Sequence, residues 1–496
     1  MRKYISVLYV LLVVLLLCAC GNSQQKNIKS PSDLSGAHIG VQLGTTSDVR
    51  LSKLEKNNQQ TKVERYTKCA DAIQALLQGK IDCVVDDEQP ARAFVRKNEN
   101  LEVLPQSFSH DAYAFCVSKN RMVLKQRIDE ALVKLKNSGL LDTIIHRHIY
   151  DNIPVAYQKR DIGRPNGHLI VSTNATFPPY EYYDDGVIVG IDIDVMQAIA
   201  DILGMSIEFE DVNFDAVITS VQTGKADVGA AGLTVTPDRL KNVLFSSPYT
   251  SCRQVIVVKN NETTVGSMSF MDKFNMDFLV EHRYLYLLHG LGNTILITVF
   301  AIIISLILGS LIAIVRTSHD RNGNMKFLNT LCRVYLTIVR GTPTMVQLLI
   351  IYYVIFASAD VSKVVVAIVA FGLNSAAYLA EVIRSGIMSI DRGQMEAGRS
   401  LGMSYAQTMR FVILPQAYKN VLPAIGNELI TLLKETSISG YIGLVDLTKG
   451  SDIIRSITYD AMLPLGVVAL IYLVLVMSLE AGVSRIEKKL RKNERS

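Results

Sequence analysis

Long apolar runs alternate with polar connections from Tyr284 onward. Residues 295–315 form a run of 21 residues without a charge, which is long enough to cross a bilayer as a helix. Further spans are predicted near residues 334–358, 364–383, 418–433 and 461–483. The pattern therefore predicts an all-α membrane domain of about five helices within residues 284–484.

The preceding part of the chain has a different pattern, in which short apolar strands alternate with helical periodicity. Residues 168–173 read as a buried strand, and a loop made rigid by Pro178 and Pro179 follows. This alternation is typical of α/β domains. We expect two α/β lobes, residues 24–160 and 161–262, joined to the membrane domain by a linker over residues 263–283.

The amino terminus has the order of an export signal, with Arg2 and Lys3 before an apolar run and small residues after it. Within residues 1–23, the stretch ending at Cys20 resembles a lipobox, in which Cys20 would be lipidated. The alternative is an uncleaved membrane anchor. In both cases the chain after Gly21 begins outside the cell.

The net charge of +5 is concentrated in places, above all in the basic tail over residues 485–496. A basic tail after an apolar helix indicates a cytoplasmic anchor in a bacterial membrane and not a nucleic-acid site. The sequence lacks a phosphate-binding G-x-x-x-x-G-K-[ST] loop, so any ATP would be hydrolysed by another chain. The cysteines are widely spaced without a metal pattern, and we predict no metal, cofactor or catalytic residue.

A water-facing helical hairpin is predicted between two of the apolar spans. Asp391 with Gln394, and Ser404 with Gln407, each fit a capping box at a helix start. Gly402 can take the left-handed conformation that ends the first helix. Pro415 is expected to limit the second helix. Such a hairpin is a rigid knob suited to a groove on a partner protein.

Residues 396–402 and the Ile-Leu-Pro at 413–415 resemble the EAA loop of ABC-importer permeases, which docks on the ATP-hydrolysing subunit. The resemblance implies that Glu396, Ala397 and Gly402 couple this chain to ABC ATP-binding subunits, expected as a dimer. The alternative is a plain amphipathic connector. With five crossings, the hairpin and the tail would be cytoplasmic and the lobes extracellular.

Residues 340–343, 377–384 and 427–437 look like segments of the polar amino-acid subfamily of these permeases, which have the ABC type I permease fold. The subfamily works with two permease subunits, so a homodimer is expected and a heterodimer remains open. Charges within a membrane span are costly, which makes Glu428 and Lys434 candidates for the translocation pathway. Alternatively, both side chains reach water at the interface.

The two α/β lobes are similar to those of extracellular amino-acid-binding proteins, which are two-lobed clamshells. Residues 161–262 look like the first lobe and residues 24–160 like the second, so the lobes come in reversed order. The chain behaves like a circular permutant or like a tandem pair that has lost its outermost lobes. We expect one cleft, with residues near 28 and 259 close together. Degenerate lobes without ligand binding are the alternative.

The resemblance implies a site for a free amino acid, whose carboxylate and ammonium must both be matched when water is expelled. Arg239 would grip the carboxylate together with the amides of Thr45 and Thr46, and Asp87 would pair with the ammonium. The Gly232 carbonyl and the Thr234 hydroxyl would assist Asp87, while Phe177 and Phe214 would enclose the side chain. Each of these residues also has an ordinary structural role open to it.

Asn174 stands where relatives that prefer basic amino acids, and some glutamine binders, carry an aspartate. A neutral amide cannot compensate a buried cationic side chain, so a glutamine-like substrate is favoured. Together the patterns predict an amino-acid importer with its binding domain fused to its permease. A ligand-gated channel and an amino-acid sensor without transport are the competing classes.

Overall fold

The structure is a computed structural model that describes residues 26–98, 100–260, 269–357, 361–458, 460 and 462–492. The predicted signal with Cys20, part of the linker and the last four residues of the basic tail lie outside these ranges.

The strands occur in the first half of the described chain. In chain order they are β1 (His38–Gln42), β2 (Lys62–Tyr66), β3 (Cys83–Asp87), β4 (Leu101–Val103), β5 (Ser109–Tyr113), β6 (Cys116–Ser118), β7 (His168–Thr173), β8 (Thr176–Phe177), β9 (Glu181–Asp184), β10 (Val187–Val189), β11 (Ser206–Asp211), β12 (Val228–Gly229), β13 (Val243–Phe245) and β14 (Thr250–Lys259).

Helices lie between the strands and make up the second half of the chain. The α-helices are α1 (Thr46–Asn57), α2 (Cys69–Leu77), α3 (Glu88–Lys97), α4 (Met122–Asn137), α5 (Leu140–Ile149), α6 (Ile191–Leu203), α7 (Phe214–Gln222), α8 (Pro237–Leu240), α9 (Phe270–Phe274), α10 (Tyr284–Asn322), α11 (Lys326–Gly341), α12 (Thr344–Ile350), α13 (Lys363–Met388), α14 (Arg392–Ser400), α15 (Tyr405–Thr408), α16 (Leu414–Glu435), α17 (Leu447–Thr458) and α18 (Met462–Lys492). Shorter 3-10 or π turns occupy Pro31–Leu34, Asn275–Leu279, Val280–His282, Ile351–Ile355, Met409–Ile413 and Thr436–Ile442.

The first compact unit comprises the described residues of Met1–Asp111 and Ser251–Gly266. Its sheet has the order β2-β1-β3-β14-β4, with β5 paired to β14. The strand β1 is parallel to β2 and β3, whereas β14 is antiparallel to β3. Ile28 and Ile256 share its hydrophobic core, so the predicted closeness of the chain near residues 28 and 259 is consistent with this unit.

The second compact unit comprises Ala112–Thr250 and Ser267–Ser496. Its sheet has the order β11-β7-β12-β6-β13, and β6 is antiparallel to both of its neighbours. Val217, Val221 and Val243 are fully buried in the core of this α/β part. We call residues 112–250 the ligand lobe.

The compact units divide the chain differently from the predicted boundary near residue 160. Residues 112–150 belong with residues 168–250, because β6 completes their sheet. Conversely, β14 comes after the ligand lobe in the chain but completes the sheet of the first unit. Each α/β unit therefore combines two separate stretches of chain, and both units contain the mixed α/β sheets that the sequence predicts.

Among the described residues, three helices are long and apolar enough to cross a membrane, and a bent pair makes up to four. The three are Tyr284–Asp320, Lys363–Met388 and Met462–Lys488, and each overlaps one of the predicted spans. The predicted span over 418–433 lies inside α16, which is not among the helices selected by length and apolar character.

The predicted span over 334–358 falls on a bent pair of helices, in which α11 and the helix that follows it meet at an angle of 111°. The break falls at Thr342, whose extended backbone (φ −124°, ψ 147°) precedes Pro343. A residue before proline is driven out of the helical region by the proline ring, so the local sequence explains the bend.

Candidate functional site

The loop after β7 holds the first predicted ligand residue, Asn174. Its side-chain amide donates to the Val212 carbonyl (2.8 Å), and its side-chain oxygen accepts from the Thr176 hydroxyl (2.9 Å). The Ala175 amide donates to Asp211 (3.0 Å). Asn174 is 2% exposed, and it ties this loop to the end of β11.

A buried carboxylate, that of Asp192, is hydrogen-bonded to the backbone of the predicted ligand residue Gly232. Asp192, at the start of α6, accepts from the Gly232 amide (3.0 Å) and from the Tyr249 hydroxyl. Gly232 has a positive φ of +50°, and a Cβ there would lie 2.8 Å from the Phe177 ring. Burial raises the pKa of Asp192 to about 6, from 3.8 for an ordinary aspartate. Asp192 is not among the site residues predicted from the sequence, although a charged residue amid apolar ones was the available signal.

We expect the stability of this region to depend on pH through Asp192. Because its folded pKa is raised, the native state holds the proton more tightly than the unfolded chain. The stabilisation from this group is therefore complete below pH 3.8 and is lost as pH rises through about 6. The loss should reach about 3 kcal/mol. Hydrogen-exchange protection of residues 228–234, corrected for intrinsic rates, should fall less between pH 4.5 and 7 in D192N than in the wild type.

The E208Q variant is the matched control for this measurement, because its carboxylate is 66% exposed on a neighbouring strand. Its pH profile should follow the wild type. Equal pH profiles for D192N and the wild type would contradict the assignment to Asp192.

Arg239 lies beside two other predicted ligand residues. Its guanidinium donates to the Thr234 carbonyl (2.8 Å), and its central carbon lies 5.6 Å from the centre of the Phe214 ring. The Thr236 hydroxyl caps α8 by accepting from the Arg239 amide, which fixes the turn that carries the arginine. The ligand lobe thus brings Phe214, Thr234 and Arg239 together.

Aromatic side chains that sequence reasoning missed line the same region. Tyr113 forms a bridge with Thr234, and its ring meets Tyr180 edge-on at 5.0 Å. Tyr180 in turn stacks with Phe177 at 5.7 Å. Tyr113 could not be assigned from the sequence, because it is far along the chain from residues 174–239 and reaches them only through the strand exchange.

The remaining predicted ligand residues lie in the first unit. Thr45 is the N-cap of α1, and its amide already donates to the Gln42 carbonyl (3.4 Å). The Thr46 hydroxyl accepts from Gln254 (2.8 Å) and donates to Asp111 (3.3 Å). Asp87 ends β3 as the N-cap of α3 and is 9% exposed.

An ion pair missed by sequence reasoning supports this end of the first unit. Arg50 makes a two-pronged contact with Asp111, with both N–O distances at 2.7 Å, and it also donates to Gln254 (2.8 Å). Asp111 is thereby held next to Thr46. The start of α1 is therefore a charged, hydrogen-bonded surface and not an isolated pair of threonines.

The predicted hairpin is present as α14 and α15. Ser404 and Gln407 form the expected capping box, and Gly402 has the expected left-handed backbone (φ +85°). The other predicted box is wrong in detail, because Asp391 caps α14 by accepting from Gly393 (2.6 Å) and not through Gln394.

The two helices of the hairpin touch closely, and their outer side is open. A Cβ at Gly398 would lie 2.5 Å from the Thr408 methyl carbon, so glycine permits the contact. Glu396 and Ala397 are exposed, and Leu401 is 83% exposed. After α15 the chain continues through a π turn into α16, with Pro415 in the first turn of that helix.

Glu428 and Lys434, the candidates for the pathway, are separated on α16. Glu428 is half-buried and accepts from the Ser375 hydroxyl (2.8 Å), whereas Lys434 is exposed. Glu428 also lines a cavity of about 490 Å³ together with Arg340, Tyr378 and Glu381. The helical part therefore contains a cavity, lined in part by charged side chains, that one of the two candidates reaches.

The sequence is similar to known solute-binding proteins and to known permeases. Residues 169–465 match the bacterial extracellular solute-binding proteins, family 3. The arginine transport system permease protein ArtQ of Bacillus subtilis (strain 168) is 40% identical over 223 residues, covering 44% of this chain and 100% of that protein. The putative glutamine transport system permease protein GlnP of Rickettsia typhi (strain ATCC VR-144 / Wilmington) is 37% identical over 210 residues, covering 42% of this chain and 94% of that protein.

Among solved structures, the crystal structure of an amino acid ABC transporter with histidines is similar to this chain at 37% identity. The match covers 45% of this chain and 100% of the chain in that crystal structure, with a TM-score of 0.40.

Proposed function

The chain belongs to the bacterial extracellular solute-binding proteins, family 3, and to the amino-acid ABC transporter permeases, and from this premise we propose that it imports a polar amino acid through the cell membrane. The observation that carries the proposal is the presence, in one chain, of an α/β ligand lobe and of spanning helices with an exposed hairpin.

The ligand would be recognised by two sets of residues with complementary chemistry. The ligand lobe contributes a cation at Arg239, a hydroxyl at Thr234 and apolar rings at Phe177 and Phe214. The first unit contributes the helix start at Thr45 and Thr46 and the carboxylate of Asp87, which would pair with the ammonium. A free amino acid bound by both sets would have its carboxylate and its ammonium matched, which a site that excludes water requires. Gly232 and Asn174 would shape this site.

ATP hydrolysis would take place on a separate ATP-binding subunit, docked at Glu396, Ala397 and Gly402. We propose two such subunits with two copies of this chain. The hairpin and the basic tail would face the cytoplasm and the α/β units the exterior. Basic residues that flank the spans, such as Arg316 and Arg333, would then be cytoplasmic, as the positive-inside rule favours. Glu428, and with it Lys434, would contact the pathway.

We favour glutamine over arginine as the substrate, because a neutral asparagine, Asn174, and not an aspartate stands in the loop after β7. The similar permeases are named for arginine and for glutamine, and so they do not decide between the two.

Proteoliposomes that contain the full chain and an amino-acid ABC ATP-binding subunit test the function. ATP should drive accumulation of labelled glutamine, and unlabelled arginine should compete less well than unlabelled glutamine. Vesicles without ATP are the control. ATP-independent flux would support a channel instead, and stronger competition by arginine would overturn the substrate preference.

A further inference from the structure

Helix α17 of the membrane domain makes a buried ion pair with the ligand lobe. Both belong to the second compact unit. The Lys449 ammonium lies 2.8 Å from an oxygen of Asp211, and the two side chains are only 4% and 5% exposed. Charges this deeply buried are stable only when they are paired, so each holds the other in place.

Asp211 in turn holds the loop predicted to contact the ligand. Its other carboxylate oxygen accepts from the Ala175 amide (3.0 Å), and the next carbonyl, that of Val212, accepts from Asn174 (2.8 Å). Helix α17 also packs directly against β8 and β9, and β8 carries Phe177. The position of this loop therefore depends on the end of β11, which Lys449 fixes.

The other end of this connection is anchored in the membrane domain. The Lys449 amide donates to Asp446 (2.8 Å), and the Leu447 amide donates to the Thr294 hydroxyl on α10 (3.2 Å). At Gly450 a Cβ would lie 2.5 Å from the Tyr286 carbonyl, so α17 lies almost against the backbone of α10. A continuous set of contacts thus runs from a spanning helix to the ligand loop.

Gly443 brings the membrane domain to the same strand end. It has a positive φ of +71°, and a Cβ there would lie 2.2 Å from the Asp211 carbonyl oxygen. Lys363 forms a second ion pair nearby, with Glu210, but at 3.4 Å and with both side chains about one-fifth exposed. The Lys363–Glu210 pair is therefore a more exposed counterpart with which the buried Lys449–Asp211 pair can be compared.

We propose that Lys449 is a positioning residue for amino-acid binding: through Asp211 it sets the loop at residues 174–177, so that the membrane domain shapes the ligand site. The inference rests on the proposed function, because it assumes that this loop meets the ligand. Affinity then depends on the membrane domain, and a shift of α10 and α17 changes the ligand site directly.

Calorimetry on the full chain in lipid nanodiscs, with glutamine and arginine as probes, tests the role of Lys449. K449M leaves Asp211 buried without a counter-charge, and we expect roughly tenfold weaker binding with faster hydrogen exchange in residues 169–184. K449R should restore both quantities. K449M/D211N should recover part of the loss, because the asparagine side chain is neutral and its oxygen can still accept from Ala175. K363M is the matched control and should bind like the wild type.

The outcomes separate this inference from the proposed function. If the wild type binds neither probe, the proposed function fails, and the exchange data alone then report whether Lys449 orders the loop. If the wild type binds and K449M matches it in affinity and exchange, Lys449 is not a positioning residue. Equal losses in K449M and K363M would also overturn the inference, since they would indicate general weakening of this surface.

Discussion

Replacing Arg239 with alanine should lower the affinity for the amino-acid ligand by about 30-fold to 5,000-fold. The guanidinium lies between the Thr234 carbonyl and the face of Phe214, where both its direction and its charge are fixed. Removing one partner of a buried charge pair costs about 2–5 kcal/mol, which gives this range of affinities. Calorimetry on the full chain with glutamine measures the loss.

Two further variants make the Arg239 test specific. R239K keeps the charge but loses the planar fork that holds a carboxylate at two points, so we expect a loss of at least tenfold. K241A removes a cation that is 73% exposed two residues away and should bind like the wild type. Wild-type affinity in R239A would remove Arg239 from the site.

The elements near Arg239 show how far the sequence could predict the site. The sequence pattern of a capped helix start is present at Thr236, Pro237 and Asp238, and the structure has that cap. Local signals of this kind depend on neighbours along the chain and can be recognised directly. The positions of Tyr113 and Tyr249 depend instead on where the chain passes from one sheet to the other. Local sequence patterns do not specify which sheet a strand joins.

The compact units divide the chain elsewhere than at residue 160 for the same physical reason. Residues 116–118 have the apolar character of a strand in either sheet, and hydrophobicity does not say which sheet they complete. Hydrogen-bond pairing with β12 and β13 decides it. The prediction that the lobes come in reversed order rests on continuous motifs, whereas the exchanged strands are only three to ten residues long.

In the helical part, three of the five predicted spans fall on described helices long and apolar enough to cross a membrane, and a turn signal within a fourth was overlooked. Gly341, Thr342 and Pro343 interrupt the apolar run, and the chain bends there because proline excludes helical backbone in the residue before it. The hairpin succeeded as a prediction because capping residues and a left-handed glycine are local requirements.

Replacing Leu401 with aspartate should uncouple the transporter without unfolding it. Leu401 is 83% exposed at the tip of the hairpin, and the adjacent Gly402 closes the turn. A surface change of this kind alters the free energy of unfolding by about 0.5 kcal/mol or less. In the proposed docking, however, Leu401 is buried against the ATP-binding subunit, and a charge at this position is expensive because it must be desolvated. Ligand-stimulated ATP hydrolysis should therefore fall at least tenfold, and the ATP-binding subunit should be lost on co-purification.

Ligand binding separates this uncoupling from general damage, because L401D should bind glutamine as tightly as the wild type. The neighbouring S400A, also exposed on α14, is the matched control and should retain stimulated hydrolysis. E396A removes the exposed carboxylate on the same surface and should weaken co-purification as well. An L401D variant that keeps both the ATP-binding subunit and the stimulation would show that the hairpin is only a connector between two helices.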